Sequence, residues 1–181
     1  MSTFLSHEER THIIRSYAQR YSLKTFVETG TGEGFTTQHL LDDFTEMWTV
    51  ELDPELYQRA LVMFYNRNHV HCVLGDSTDE LPKVVEHLIY HGTPALFWLD
   101  GHYCGGARGD IDTPIRVELK SALKAPWGSV ILVDDARLFE GGSEHTEEFK
   151  DYPSLDWVYE TGIEHGYRSE LIDDVIRLTP V

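Results

Sequence analysis

The stretch TFVETGTGEG occupies residues 25–34 and joins a β-branched and aromatic run to a loop with three glycines. The pattern that follows predicts a helix over residues 35–43. This order places backbone N–H groups at the carboxyl end of a strand and the amino end of a helix, where a polar or anionic ligand group can be held. The stretch therefore predicts the first strand–loop–helix unit of a ligand-binding α/β sheet.

Strand-like runs and amphipathic stretches alternate along the rest of the chain. Ser6 and Glu9 have the spacing of a capping box and predict a first helix that runs to about residue 20. Pro54 and Pro82 are interpreted as first-turn residues of their helices, because proline needs no partner for its missing N–H there. Further strands are predicted at 25–29, 47–52, 69–74, 95–100 and 129–134, and further helices at 54–65, 78–90, 111–124 and 154–165.

Strands that alternate with helices indicate right-handed crossovers and a parallel sheet covered on both faces. The runs LFWL (96–99) and VILV (130–133) are nearly continuous in apolar residues, which is typical of strands covered on both faces. The last two runs, YRSELID and DVIRLTP, are close enough for a tight antiparallel hairpin. The expected fold class is α/β: a Rossmann-like, doubly wound sheet of seven strands, mostly parallel, with a C-terminal antiparallel hairpin.

Composition limits the size and the partners of the molecule. The 181 residues predict one domain, with an N-terminal helix (1–24), a ligand-binding core (25–135) and a C-terminal part of loop, helix and hairpin (136–181). The formal net charge is −16, and the basic residues do not cluster, so nucleic acid and anionic membrane surfaces are disfavoured as partners. The two cysteines are too few for a disulfide framework, and no secretory signal or apolar span is visible, so a cytoplasmic location is expected.

The ends of the predicted strands carry acids. Glu51 ends the second strand, where a carboxylate can accept hydrogen bonds from two ribose hydroxyls, and Asp76 follows the third. A single acid at a strand end is a common solvated feature, whereas acids at four successive strand ends indicate a shared site. The glycine spacing G-x-G-x-G, with Glu28 two residues before it, differs from the G-x-G-x-x-G of dinucleotide-binding proteins.

Five motifs in order, FVETGTGEG, WTVELDPELY, VLGDS, LFWLDGHY and VILVDD, resemble those of class I S-adenosylmethionine-dependent methyltransferases. The resemblance covers about residues 25–135, and the terminal hairpin is similar to the sixth and seventh strands of that family. It implies S-adenosylmethionine as the cofactor. The residues that it implies for cofactor binding are Glu28, Thr29, Gly30, Gly32 and Gly34 near the methionine part, Glu51 at the ribose, Asp76 or Ser77 near the adenine, and Asp100.

Three carboxylates are expected at one edge of the sheet, because Asp100 closes the fourth predicted strand and Asp134 and Asp135 close the fifth. A pair of carboxylates 4 Å apart repels by roughly 4 kcal/mol at an effective dielectric constant of about 20. Either they hold protons, or some turn away, or a cation lies among them. Oxygen ligands suit Mg²⁺ or Mn²⁺. Neighbours in a strand point to opposite faces, so both members of the pair reach one ion only if the strand has already turned into loop by Asp135.

This set of aspartates is similar to that of metal-dependent small-molecule O-methyltransferases of the catechol and macrocin types. The resemblance implies Asp100, Asp134 and Asp135 as ligands of Mg²⁺ or another divalent cation, which would lower the pKa of an acceptor hydroxyl. It also implies His102 as the catalytic base, at a place where macrocin-type enzymes often carry an aspartate. Tyr103 stands where catechol-type enzymes have a lysine.

The expected function is methyl transfer from S-adenosylmethionine to a hydroxyl of a small molecule, assisted by a divalent cation. Loops 101–113 and 136–152 would form the pocket walls, and a homodimer would supply further walls. A metal-independent methyltransferase and a cofactor-binding protein without turnover stay open, and an NAD-dependent dehydrogenase is disfavoured by the glycine spacing. The sequence does not name the acceptor.

Overall fold

A computed structural model describes residues 5–101 and 113–181. Its helices are α1 (His7–Tyr21), α2 (Phe35–His39), α3 (Pro54–Met63), α4 (Ser77–His91), α5 (Ile115–Ala122) and α6 (Leu155–Glu164). Its strands are β1 (Thr25–Thr29), β2 (Glu46–Glu51), β3 (Val70–Leu74), β4 (Ala95–Leu99), β5 (Val130–Val133), β6 (Tyr167–Ile172) and β7 (Val175–Pro180). Two short 3-10 turns follow β5, at Ala136–Leu138 and Glu147–Phe149.

The seven strands form one sheet in the order β3-β2-β1-β4-β5-β7-β6. The first five are parallel, and β7 runs antiparallel between β5 and β6. The strand order reverses on either side of β1, which pairs with β2 on one edge and with β4 on the other. In such sheets ligands bind beyond the carboxyl ends of the strands at the point of reversal. The predicted seven-stranded fold with a terminal hairpin is confirmed.

Apolar layers cover both faces of the sheet. Phe26 and Val27 are adjacent in β1 and fully buried, yet they lie in opposite layers because side chains alternate along a strand. The layer around Val27 packs against α4 and α5, and the layer around Phe26 packs against Ile14 of α1. Helix α1 also contacts β4 and β5. Its first turn therefore lies at the end of the sheet where the acids are found.

Most predicted elements lie where the sequence places them, with three differences. Helix α5 spans Ile115–Ala122, a shorter range than the predicted 111–124. Helix α2 ends at His39, four residues before the predicted end. The interpretation of Pro82 as a first-turn residue is wrong, because α4 begins at Ser77 and contains Pro82 in its interior. Asp76 caps the helix instead, by accepting a hydrogen bond from the Thr78 N–H over 2.8 Å.

The predicted local signals at the two ends of the fold are present. Ser6 and Glu9 form the capping box of α1, each accepting the backbone N–H of the other. Asp173 and Asp174 form the tight turn between β6 and β7, both with positive φ. No helix among the described residues has the length and apolar character needed to cross a membrane.

Candidate active site

Glu28 is a buried carboxyl under the glycine loop. It lies in β1, is 1% exposed, and accepts hydrogen bonds from the hydroxyls of Thr37 (2.7 Å) and Thr49 (2.8 Å). Burial raises the pKa of Glu28 to about 7, although these two hydrogen bonds act to lower it. The carboxyl is thus fixed in place by two hydroxyls, and its pKa lies well above that of an exposed glutamate.

The glycine loop approaches the end of β4 closely at Gly30. This residue has φ +80°, and a Cβ there would lie 2.3 Å from the carbonyl oxygen of Asp100. Only glycine can adopt this conformation at this distance without strain. Gly32 differs, because a Cβ at that position would meet nothing within 4 Å. The loop is therefore packed at Gly30 and open at Gly32. Gly34 is the N-cap residue of α2.

Glu51 ties the glycine loop to the end of β2. Its Oε2 accepts the Gly32 N–H and its Oε1 accepts the Asp53 N–H, both over 2.8 Å. A carboxylate has about four acceptor positions, so these two bonds leave capacity for ribose hydroxyls. Asp53 in turn caps α3 through the Glu55 N–H.

The remaining predicted cofactor residues lie along the same edge of the sheet. Thr29 is fully buried, and both its carbonyl and its hydroxyl accept from the Asp100 N–H at 3.3 Å, which holds the start of the loop after β4. Asp76 caps α4, and Ser77 is the buried first residue of that helix. The structure thus brings Thr29 and Gly30 against Asp100, with the buried Glu28 next to Thr29 in β1.

Glu118 of α5 is a second buried carboxyl that the sequence analysis missed. It is 1% exposed, and its Oε1 has no hydrogen-bond partner among the described residues. A Cβ at Gly101 would lie 2.4 Å from this oxygen. Burial raises the pKa of Glu118 to about 7, against the lowering effect of the Ser77 and Thr29 hydroxyls. The signal for it was present, since Glu118 shares a helix face with Ile115 and would be expected to face the core.

Arg10 of α1 lies between two of the three predicted metal ligands. Its Nη1 is 3.0 Å from Asp100 Oδ2, and its Nη2 is 3.0 Å from Asp134 Oδ2. Burial alone would lower the pKa of Arg10, but Asp134 and Asp100 raise it overall. Burial also raises the pKa of Asp134 well above its usual range, with a further contribution from the charge of Asp100. A single guanidinium therefore offsets part of the negative charge of this pair.

Asp135 faces a different cation. Its φ of +57° shows that the chain has left the extended conformation after β5, and its carboxylate pairs with Arg137. Arg137 also pairs with Asp174 of the hairpin turn and, over 3.0 Å, with Glu144. Within residues 5–101 and 113–181, no group of three or more His, Cys, Asp or Glu side chains is arranged to hold a metal ion. Asp100 and Asp134 thus share Arg10, whereas Asp135 pairs with Arg137, although its charge also acts on Arg10 and Asp134.

A cavity of about 490 Å³ lies beside Arg137 at the same end of the sheet. Its lining includes Glu9 of α1, Arg137, the segment 141–143 and Asp174. Loop 136–152, predicted as a pocket wall, thus contributes to this cavity. His102 and the greater part of loop 101–113 lie outside the described residues, so the assignment of His102 as the base stays a prediction.

Solved structures share this fold. The O-methyltransferase TomG from Streptomyces achromogenes, which is involved in tomaymycin synthesis and was solved with S-adenosylmethionine, has a TM-score of 0.68 at 16% identity, over 98% of this chain and 82% of that one. An O-methyltransferase from Bacillus cereus in complex with S-adenosylhomocysteine has a TM-score of 0.66 at 14% identity, over 99% and 84%. The Podospora anserina methyltransferase PaMTH1, bound to S-adenosylhomocysteine, has a TM-score of 0.65 at 16% identity, over 99% and 80%.

These comparisons define the class of fold: the chain has the fold of class I S-adenosylmethionine-dependent methyltransferases. TomG and the Bacillus cereus protein are O-methyltransferases solved with S-adenosylmethionine or S-adenosylhomocysteine, which agrees with the resemblance given by the motif order. No family model matches the sequence, and no curated protein sequence matches it.

Proposed function

We propose that this chain transfers a methyl group from S-adenosylmethionine to a hydroxyl of a small molecule. The observation that carries the proposal is the cradle at the ends of β1 and β2. The glycine loop is packed against the Asp100 carbonyl at Gly30 and has open space beside Gly32. Glu51 fixes the position of the loop by accepting the Gly32 N–H. The complexes of TomG and the Bacillus cereus enzyme with this cofactor or its product support the same class of ligand.

The residues at the cradle fit the proposed cofactor. Glu51 has acceptor capacity for two ribose hydroxyls, and the open side of Gly32 leaves room for a ligand to approach the backbone. Asp76 and Ser77 lie at the adjacent strand end, where the adenine is proposed to bind. When bound, the cofactor supplies an electrophilic methyl group on a positively charged sulfur.

The acceptor is proposed to enter from the side of α1 and the hairpin turn. The cavity there, at about 490 Å³, is within the range of small-molecule pockets. The net charge of −16 disfavours large polyanions as acceptors. His102 as the base, a second copy of the chain as a pocket wall, and a cytoplasmic location belong to the same proposal.

A divalent cation held by all three aspartates does not fit the residues as they are arranged. The oxygen ligands are suitable for Mg²⁺. However, the Arg10 guanidinium lies between Asp100 and Asp134, and Arg137 holds Asp135. Such an ion would have to displace two guanidinium groups. We therefore derive no step through it, and this observation favours the metal-independent form of the reaction.

The experiment begins with calorimetric titration of S-adenosylmethionine and of NAD into the full chain. Methyl transfer to a panel of hydroxylated small molecules is then followed by mass spectrometry, with and without EDTA. We expect micromolar binding of S-adenosylmethionine and transfer that survives EDTA. Transfer that is lost with EDTA and restored by Mg²⁺ would support the metal-assisted form. Cofactor binding without transfer across the panel would indicate a binding protein, and no cofactor binding would overturn the proposal.

A further inference from the structure

We propose that Arg10 is the built-in cation of this site and that it excludes divalent metal ions from the pair Asp100 and Asp134. The inference deepens the proposed function, since it concerns the same site. Three carboxylates that met at one edge of the sheet with no cation would repel one another. In the structure one of them is directed to Arg137, and the other two share one guanidinium.

The guanidinium of Arg10 occupies the place between the two carboxylates where a shared metal ion would bind. Two different nitrogens of Arg10 reach the Oδ2 atoms of two carboxylates on two neighbouring strands, each at 3.0 Å. The Asp134 side chain is 1% exposed and that of Arg10 is 18% exposed, so water screens the pair weakly. A guanidinium stays charged at every accessible pH, so it cannot leave by losing a proton.

Arg10 is therefore a positioning residue for the acceptor side of the site. It joins α1 to the ends of β4 and β5, and the preceding residue, Glu9, lines the neighbouring cavity. Without Arg10, the two carboxylates would lose the cation that both of them contact. Oxygen ligands at such a position are those that Mg²⁺ and Mn²⁺ prefer. Removal of the arginine is thus expected to create a metal site at this pair.

The test is titration of Mn²⁺ into the full chain, followed by calorimetry and electron paramagnetic resonance. We expect Arg10→Met to bind one Mn²⁺ at least about tenfold more tightly than the unmodified chain. Arg10→Lys keeps the charge and should gain no site. Arg10→Met combined with Asp134→Asn should lose the new site.

Arg15→Met is the matched control. Arg15 lies on the same helix and pairs with Asp43 over 2.8 Å, so its removal also frees a carboxylate, but only one. It should gain no Mn²⁺ site. Circular dichroism of each variant establishes that it is folded.

Two results would overturn the proposal. One is Mn²⁺ binding to the unmodified chain that Asp134→Asn abolishes, which would show that the ion displaces Arg10; this test stands even if Arg10→Met does not fold. The other is a folded Arg10→Met chain without a gained site. Neither result depends on turnover, so failure of this inference is distinguishable from failure of the proposed methyl transfer.

Discussion

The Gly32 N–H donates a hydrogen bond to Glu51 Oε2 over 2.8 Å, and this bond joins the glycine loop to the neighbouring strand. The other oxygen of Glu51 accepts the Asp53 N–H, also over 2.8 Å. One carboxylate thus sets the position of both the glycine loop and the start of α3. The proposed ribose site depends on this arrangement.

Substitution of Glu51 by glutamine should weaken cofactor binding about tenfold or more. An amide has one acceptor oxygen where the carboxylate has two, so one of the two backbone bonds and part of the ribose contact are lost. Calorimetric titration of S-adenosylmethionine measures the change. The control is Glu55→Gln, which changes an exposed residue in the first turn of α3. Unchanged affinity in Glu51→Gln would place the ribose elsewhere.

Alanine at Gly30 should be far more disruptive than alanine at Gly32. Both positions have positive φ, which costs an alanine roughly 1 kcal/mol. Only at Gly30 would the new Cβ overlap a backbone oxygen, that of Asp100, at 2.3 Å. Gly30→Ala should therefore lower the free energy of unfolding by several kcal/mol more. Urea unfolding of both variants decides the point, and equal losses would contradict the close approach of the two loops.

The stability of the chain should fall as pH rises through neutrality, and Glu118 should account for part of the fall. Burial raises its pKa to about 7 from 4.5, so between these values the folded chain holds a proton that the unfolded chain has released. The stabilisation is complete below about pH 4.5 and is lost as pH rises through 7. Its size for one group is about 3 kcal/mol.

Urea unfolding of Glu118→Gln at several pH values between about 5 and 8 checks this prediction. The variant should lose roughly 2–3 kcal/mol of the pH dependence of the unfolding free energy. Glu86→Gln, an exposed residue of α4, should leave the dependence as it is. An unchanged slope in Glu118→Gln would mean that the carboxyl is already ionised at pH 5 in the folded chain.

Removal of Arg137 should destabilise the chain by about 3–5 kcal/mol, because it leaves the buried Asp135 without its cation. The combined change Arg137→Met and Asp135→Asn should restore part of that loss, because the buried charge of Asp135 is then removed together with its cation. Thermal and urea unfolding of Arg137→Met, Asp135→Asn and the double variant complete a double-mutant cycle. Arg168→Met, which removes an exposed arginine, serves as the control. If the double variant lost as much unfolding free energy as the two single variants together, the pairing of Arg137 with Asp135 would be contradicted.

Much of the fold could be predicted, because its signals are local. The strand at 25–29 was predicted to the residue, since an apolar run ends at a glycine loop there. The hairpin followed from two short runs joined by Asp173 and Asp174. Pro82 was misplaced because the cap at Asp76 starts α4 a full turn before the proline and the helix tolerates it in its interior.

The candidate site could be predicted only where each residue closes a strand. Glu28, Glu51 and Asp100 are found this way, because parallel strands bring their carboxyl ends to one edge. The ion pair of Arg10 depends on how α1 packs across the sheet, and no local spacing encodes that. Metal binding by three aspartates was implied by the resemblance to metal-dependent O-methyltransferases, whereas the arginines that accompany the aspartates come from outside the strands.

The pairing of Arg10 with Asp100 joins residues 90 positions apart, and this distance has a consequence for biosynthesis. Contacts between distant positions form late, because the intervening chain must first be ordered. Arg10 leaves the ribosome long before Asp134, which follows the last parallel strand. A nascent chain that stops before that strand carries the glycine loop but lacks the closed acceptor side. Any activity of this protein is therefore expected to require synthesis at least through Asp134.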